Sequence, residues 1–223
     1  MWHAPCIIMN DYLPNKNKHE SGTMRGRDSK KEEAICEASI ELINSKGLSD
    51  TSMSQIAKRA NVSPATIYIY FKNKEDLLRQ LYLRVQRGAS KSIFTGYEGF
   101  LPLDESFKIL LRKAYQYFLR RPDHFIFLEQ YANSPLIARI DSEEAENYFN
   151  PLYDLFERGK KNKLIKDLPN EMLLSFTFYP IMQLVKFHQK GKLRLQYAEF
   201  EATLRMAWAN IKRDREVGEF VSG

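Results

Sequence analysis

Residues 51–78 read TSMSQIAKRANVSPATIYIYFKNKEDLL, and this stretch predicts two short helices on either side of a tight turn. Ser52 and Gln55 have the spacing of a capping box, in which each side chain hydrogen-bonds a backbone N–H of the other residue, so a helix is expected to begin there. Ser63 followed by Pro64 is typical of a second helix start, because the pair supplies a capping hydroxyl and a first-turn proline. Two short helices joined in this way predict a helix-turn-helix unit.

The rest of the chain continues in helical periods of three and four residues, without sustained strand alternation. The predicted fold is therefore all-α, with an N-terminal three-helix helix-turn-helix domain on a larger C-terminal helical domain. We place the helix-turn-helix at about residues 53–72 within a domain of residues 25–90, and the second domain at residues 91–223. The helices are expected at about residues 29–46, 52–60, 65–71, from 73 onward, 104–120, 122–132, 142–162, 170–188 and 196–214.

The length of 223 residues allows one or two domains with a sizeable core. The chain carries 34 Lys and Arg against 28 Asp and Glu, and residues 25–90 hold twelve of the basic and eight of the acidic groups, so an anionic partner is expected there. No apolar run is long enough to cross a membrane, and two cysteines, Cys6 and Cys36, make no disulfide framework, which favours a reducing cytoplasm. Cys36 is expected to be a small core residue of the first helix, and residues 1–24 are expected to form a disordered leader.

The second short helix has a surface that suits a DNA groove. Ile67 and Phe71 lie four residues apart and are expected to pack inward. Small and hydroxylated side chains then face outward at the tip of the helix, with aromatic side chains behind them and the charges of Lys72 and Lys74 beside them. The residues expected to face outward are Ser63, Ala65, Thr66, Tyr68 and Tyr70.

This segment resembles the DNA-binding segment of the tetracycline-repressor (TetR/AcrR) family of bacterial transcription regulators. The hallmarks at residues 47–78 are Gly-x-x-x-Thr-Ser, Ile-Ala, Val-Ser, Tyr-x-x-Phe and Lys-x-Lys-Glu-Asp-Leu. The resemblance implies a homodimer that binds a palindromic double-stranded DNA operator, as a repressor that a small apolar or amphipathic ligand releases. It implies phosphate contacts from Thr51 or Ser52, Ser63, Tyr68, Tyr70 and Lys74, with Pro64, Ala65 and Thr66 nearest the base edges.

Two departures from the family pattern concern the operator sequence. Pro64 and Ala65 stand where many relatives have Lys-Gly or Arg-Gly, and Tyr70 stands where they have His. The basic side chain that commonly contacts guanine is therefore missing, which affects the choice of operator more than the ability to bind DNA.

The resemblance also implies that the C-terminal domain binds the ligand and forms the dimer. This domain contains 22 of the 28 aromatic residues, most of which are expected in its core, and Pro180 is expected to bend the penultimate helix. The candidate ligand-binding residues are Phe107, Tyr115, Phe118, Phe127, Tyr131, Tyr153, Phe176, Tyr179 and Gln183. The candidate dimer residues, on the last two helices, are Phe178, Met182, Val185, Phe200, Leu204, Trp208 and Ile211.

Two other classes of protein are weighed against a regulator. A catalytic helical bundle has little support, because none of the glutamates has a histidine three residues further on, and zinc spacings and phosphate-binding glycine loops are missing. No enzyme activity, cofactor or metal is therefore expected. A helical adaptor or sensor without DNA binding stays an alternative, and it predicts weak or salt-insensitive binding to any duplex.

Overall fold

The computed structural model describes residues 28–97, 99, 101–140, 147–194 and 196–213, and in these residues it is helical without a β-strand. The all-α prediction is confirmed. The predicted leader and Cys6 lie outside the described residues, and none of the described helices is long and apolar enough to cross a membrane. The helices are α1 (Ser29–Lys46), α2 (Met53–Arg59), α3 (Pro64–Tyr70), α4 (Lys74–Phe94), α5 (Leu103–Arg120), α6 (Pro122–Ala132), two 3-10 turns (Pro135–Arg139 and Asn147–Phe149), α7 (Asn150–Lys161), α8 (Asn170–Phe176), α9 (Phe178–Gln189) and α10 (Tyr197–Ile211).

Side chains next to the helix ends define where α2, α3 and α4 begin. The Ser52 hydroxyl accepts a hydrogen bond from the Gln55 N–H at 3.3 Å, and the Gln55 side chain accepts one from the Ser52 N–H at 2.9 Å, which confirms the capping box. Ser63 caps α3 through the Thr66 N–H at 3.1 Å, and Asn73 caps α4 in the same way. Because caps satisfy backbone groups that the helix leaves free, they set the starts of these helices locally.

The described residues pack into two hydrophobic cores. The first core joins α1 to α4 and includes Ile35, Ile67 and Leu77, but Phe127 and Tyr131 of α6 are buried in it as well. The second core is built by the helices from the end of α4 to α10. Helix α6 therefore belongs to the packing of the N-terminal unit, although it follows that unit in the chain.

The helix predicted at residues 170–188 is in fact two helices, α8 and α9. The chain breaks at Thr177, where φ is −127° and ψ is −70°, and the buried Thr177 hydroxyl donates a hydrogen bond to the Leu173 carbonyl at 2.6 Å. Pro180 then lies in the first turn of α9, where a residue without an N–H is tolerated. The predicted bend is therefore a complete break, three residues before the proline.

Two other predicted boundaries differ from the structure. The helix expected from residue 142 begins only at Asn150, after the 3-10 turn Asn147–Phe149, and Pro151 occupies its first turn. Residues 141–146 lie outside the described residues. The last helix ends at Ile211, and the following Lys212 pairs with Ile165 in an isolated antiparallel bridge instead of extending the helix.

Candidate DNA-binding surface and ligand cavity

The outward surface of α3 is formed by small and apolar side chains. Tyr68 is 55% exposed and Ile69 is 62% exposed, and Ser63, Pro64 and Ala65 at the start of the helix are exposed as well. Thr66 is half-buried, and its hydroxyl lies 2.8 Å from the Ser63 hydroxyl. This side of α3 is presented to solvent on a helix whose other side is anchored in the first core.

The predicted outward position of Tyr70 is wrong, because Tyr70 is only 6% exposed. Its hydroxyl donates to the Asp28 carbonyl at 3.2 Å and accepts from the Asp28 N–H at 3.1 Å, which ties α3 to the start of α1. Ile67 and Phe71 are buried as predicted, and Tyr70 shares their inward side of the helix. Ile69 takes the outward place that the sequence analysis assigned to Tyr70.

The prediction that Thr51 contacts a phosphate is also wrong, whereas its alternative Ser52 lies at the surface. The Thr51 side chain is 1% exposed, and its hydroxyl donates to the Gly47 carbonyl at 2.9 Å, which packs the α1–α2 loop. Ser52 is exposed at the start of α2, and its hydroxyl is also 3.0 Å from that of Ser54. Phosphate contact by Ser52 stays a prediction.

Lys72 and Lys74 lie at the junction of α3 and α4. Lys72 is exposed, and its backbone N–H donates to the Asp76 carboxylate at 2.9 Å. Partial burial acts to raise the pKa of Asp76, but hydrogen bonds from Gln80 and from the Lys72 N–H hold it below its ordinary value. The Lys74 ammonium donates to the Ser49 carbonyl at 3.1 Å, so this lysine is positioned beside the α1–α2 loop.

A cavity of about 290 Å³ lies between α4, α7, α8 and α9. Its lining combines aliphatic and aromatic side chains with the polar groups of Gln86 and three tyrosines, and none of the lining side chains is charged at neutral pH. Burial raises the pKa of Tyr82, which keeps its phenol neutral. The lining residues are Tyr82, Gln86, Phe149, Leu152, Tyr153, Leu174, Phe178 and Tyr179.

Tyr153 and Tyr179 are the two predicted ligand-binding residues that line this cavity, and their contact with a ligand stays a prediction. Phe176 and Gln183 are exposed on other parts of α8 and α9. The remaining candidates do not line this cavity and are packed in the cores, so their contact with a ligand stays a prediction: Phe107, Tyr115, Phe118, Phe127 and Tyr131. Two further lining residues, Tyr82 and Gln86, were not among the predicted ones, although their four-residue spacing on α4 places them on one side of that helix.

Four predicted dimer residues belong to the core of their own subunit. Val185, Phe200, Leu204 and Ile211 are at most 5% exposed, so their assignment to an interface is wrong. Phe200, for example, stacks on Tyr115 at a ring distance of 4.0 Å. Phe178, Met182 and Trp208 are half-buried against the same core, and their interface role stays a prediction. The large apolar side chains that α8, α9 and α10 do expose are Met172, Phe176, Tyr179, Phe187, Tyr197 and Met206.

Cys36 is buried in the first core, as predicted. Burial raises the pKa of its thiol from 9.0 to about 11, so the thiol stays protonated at neutral pH and packs as a small apolar group. In the described residues no cluster of three or more His, Cys, Asp or Glu side chains is placed to hold a metal ion.

Comparison with known proteins agrees with this arrangement over both parts of the chain. Residues 35–81 match the model of bacterial regulatory proteins of the tetR family, and residues 102–212 match that of the tetracyclin repressor-like C-terminal domain. A Bacillus subtilis protein named as a probable HTH-type transcriptional regulator is 33% identical over 144 residues, which are 60% of this chain and 67% of that protein.

Two solved structures show the same fold. A TetR family transcription regulator from Marinobacter aquaeolei VT8 is 29% identical with a TM-score of 0.78, covering 86% of this chain and 100% of the other. The transcriptional regulator FadR from Bacillus subtilis, in complex with stearoyl-CoA, is 22% identical with a TM-score of 0.69, covering 81% of this chain and 99% of the other.

A helix-turn-helix unit on a helical body, with its second helix exposed as a recognition helix, defines a DNA-binding transcriptional regulator. In this chain the recognition helix is α3. The chain belongs to the TetR family. Regulators of this family bind DNA operators and small-molecule effectors, act as dimers, and are in general not enzymes. The alternative of a helical adaptor without DNA binding receives no support.

Proposed function

We propose that this protein is a cytoplasmic repressor that binds a palindromic operator as a homodimer and that a small apolar or amphipathic ligand releases. The observation that carries the proposal is the position of α4, which takes part in both functional regions. Lys74 begins this helix beside α3, and Tyr82 and Gln86 of the same helix line the cavity. At 1.5 Å per residue, Lys74 and Gln86 are about 18 Å apart along the helix axis.

Tyr82 also connects the cavity to α6. Its ring stacks on Tyr131 at a centroid distance of 4.5 Å, and Tyr131 lies with Phe127 in the core that holds α1 to α4. A ligand that displaces Tyr82 therefore acts on α4 directly and on α6 through Tyr131. If the ligand favours a position of α4 in which the two recognition helices no longer match the groove spacing, operator affinity falls.

The cavity lining favours an uncharged ligand portion with an apolar body and a hydrogen-bonding group. The hydroxyls of Tyr153 and Tyr179 and the amide of Gln86 supply the polar contacts. The volume of about 290 Å³ is close to the lower end of ligand pockets, which measure about 300–1,000 Å³. The stearoyl-CoA bound to the Bacillus subtilis FadR structure supports an amphipathic ligand as one candidate class.

Exposed apolar residues of α8, α9 and α10 that lie outside the cavity lining support dimerisation. Phe176 of α8 is 51% exposed, Phe187 of α9 is exposed as well, and Tyr197 and Met206 of α10 are 75% and 66% exposed. Exposed apolar side chains that form one contiguous patch are typical of protein contacts. A two-fold dimer through these helices requires an operator with two matching half-sites, about one helical turn apart.

The proposal is tested with the purified full chain in two steps. Duplexes selected from a random pool should share a palindrome, and binding should weaken steeply as the salt concentration rises. Fluorescence anisotropy on the selected operator is then repeated with 2-naphthol, a small neutral aromatic probe, and with stearoyl-CoA. We expect at least one of the probes to lower operator affinity; if neither probe lowers it, including a probe that is shown to bind the chain, the release mechanism is contradicted.

A pair of variants localises the ligand effect. Tyr179→Ala alters the cavity lining, whereas Leu164→Ala changes another exposed apolar residue, 48% exposed, in the turn after α7. Operator affinity without a probe should be the same in both variants. The response to the probe should weaken only in Tyr179→Ala, and an equal response in both variants would place the ligand elsewhere.

A further inference from the structure

The side chains of α3 offer an unusual set of groups for reading DNA. The helix has the sequence PATIYIY and contains neither a charged nor an amide side chain. Arginine and lysine contact guanine, and asparagine and glutamine contact adenine, through paired hydrogen bonds in the major groove. Helix α3 has none of these four side chains, so its sequence preference must arise from another contact.

The centre of the outward side of α3 is apolar. Ala65 and Ile69 are four residues apart, and both are exposed, Ile69 to 62%. They lie on the side of the helix opposite the buried Ile67, because each residue advances the helix by about 100°. Thr66 and Tyr68 flank them, and the Thr66 hydroxyl is engaged with Ser63, which leaves its methyl group for apolar contact.

An exposed isoleucine on a recognition helix has one specific partner in the major groove, the C5-methyl group of thymine. The other exposed edges of the bases in that groove are hydrogen-bond donors and acceptors, which an aliphatic side chain cannot satisfy. We propose that α3 reads each operator half-site through thymine methyl groups, with Ile69 as a specificity-determining residue and with Ala65 and the Thr66 methyl group beside it. This inference rests on the proposed function, since it concerns the same operator.

The proposal separates the roles of neighbouring residues on α3. Tyr68 and Lys74, on the flanks of the surface, serve the phosphates and contribute equally to any sequence. Ile69 distinguishes thymine from cytosine at a contacted position, because cytosine has no methyl group and presents an amino donor there. The selected operator should therefore contain at least one thymine in each half-site at the positions that face α3.

The test removes only the methyl group. In the selected operator, each thymine of a half-site is replaced in turn by deoxyuridine, which keeps the base pair and the phosphates. The free energy of burying one methylene-sized group predicts a loss of about fourfold in affinity for a contacted thymine, and about fifteenfold when both half-sites are changed. Thymines outside the half-sites, replaced in the same way, should have no effect.

Protein variants then assign the methyl contact to Ile69. For Ile69→Ala, the same deoxyuridine substitution should cost less than twofold, because the partner of the methyl group has been removed. Ile126→Ala is the matched control, since Ile126 is another exposed isoleucine, 36% exposed, on α6. This control should keep the full loss seen with the unchanged chain.

The outcomes separate the inference from the proposed function. A chain that selects a palindrome and binds it with steep salt dependence, but responds to no deoxyuridine substitution, overturns the role of thymine methyls and leaves the regulator intact. If the substitutions matter equally for the unchanged chain and for Ile69→Ala, Ile69 is not the reader. If no operator is selected at all, the proposed function itself fails.

Discussion

In the helix-turn-helix unit, Tyr68 and Ile69 lie in solvent on a short helix whose start is fixed by hydrogen bonds between near neighbours. In the body, Phe107 and Phe156 lie in the core, with ring centroids 6.5 Å apart although the residues are 49 positions apart in the sequence. The candidate DNA-binding site of the first region is therefore a surface, and the candidate ligand site of the second is a cavity. An exposed site can be predicted from the residues that a single helix leaves in solvent. A cavity depends on how several helices, distant in the sequence, pack together.

Helix α6 joins the two regions, because this helix of the body contributes Phe127 and Tyr131 to the core of the helix-turn-helix unit. Tyr82 links the same two regions from the other direction, since it stacks on Tyr131 and lines the cavity. The two regions differ in function but share packing. A structural change at the cavity can therefore be transmitted to the recognition helix α3 through packed side chains.

The largest expected effect tests this shared packing. Phe127→Ala removes a fully buried ring from α6 and should lower the free energy of unfolding by about 3–5 kcal/mol. Chemical denaturation followed by circular dichroism measures the change. Ile126→Ala, at the neighbouring exposed position, should cost no more than about 1 kcal/mol. If Phe127→Ala left both the operator affinity and the free energy of unfolding of the chain unchanged, α6 would not support the helix-turn-helix unit.

The next effect tests whether water is excluded from the first core at Cys36. Burial raises the pKa of the Cys36 thiol from 9.0 to about 11, so between these pH values the unfolded chain loses a proton that the folded chain keeps. Stability from this group is complete below pH 9 and is lost as the pH rises towards 11, by roughly 2–3 kcal/mol.

Unfolding free energies at pH 8 and pH 10.5 measure the contribution of Cys36. Lysines and tyrosines titrate in the same range, so the comparison is made with Cys36→Ala, in which those groups are unchanged. The decline between the two pH values should be smaller in Cys36→Ala. Equal declines in both chains would mean that water reaches the thiol and that the first core is more open than the body.

A third, smaller effect compares an exposed lysine of the helix-turn-helix unit with an exposed lysine of the body. Lys74→Ala should lower operator affinity about tenfold and reduce the slope of log affinity against log salt by about one, as expected for one lost phosphate contact. Lys192→Ala, an exposed lysine after α9, should change neither quantity. Equal losses in the two variants would indicate a general effect of net charge instead of a contact by Lys74.

The sequence predicted the beginnings of α2, α3 and α4 because caps depend on residues only two or three positions apart. It did not distinguish Ile69 from Tyr70, because Ile67 to Phe71 are all apolar or aromatic, so periodicity alone does not identify the outward side. The choice depends on the backbone of Asp28, 42 residues away, which hydrogen-bonds Tyr70. Sequence spacing carries no information on such a contact.

The body was predicted less well for a related reason. Its aromatic residues recur at helical intervals whether they fill a core or line a cavity, so Tyr115 and Phe118 were indistinguishable from Tyr153 before packing was known. The separation of α8 from α9 falls at Thr177, whose buried hydroxyl donates to the Leu173 carbonyl, and no turn residue in the sequence marks this position. The fold class and the starts of the first helices followed from the sequence, whereas the cavity and the exposed apolar side chains of the last helices required the packing.

The smallest expected effect concerns the corner between α5 and α6, where the body meets α1. The ring of His124 lies there with its Nδ1 atom 2.7 Å from the Tyr117 hydroxyl, and Arg121 pairs with Asp123 at 2.9 Å beside it. Burial lowers the pKa of His124, and the Arg121 charge lowers it further, whereas Asp123 and the more distant Glu33 act in the opposite direction.

His124 is therefore neutral in the folded chain at a pH where the unfolded chain already binds a proton. Stability from this group is complete above about pH 6.5 and is lost as the pH falls towards the folded-state pKa. Unfolding free energies at pH 7.5 and pH 5.5 should decline less in His124→Gln, because glutamine stays neutral and can still hydrogen-bond Tyr117. His188→Gln, at an exposed histidine of α9, should decline as the unchanged chain does. If His124→Gln declines as steeply as His188→Gln, the corner is open to water, and the two regions meet there through a solvated contact instead of a packed one.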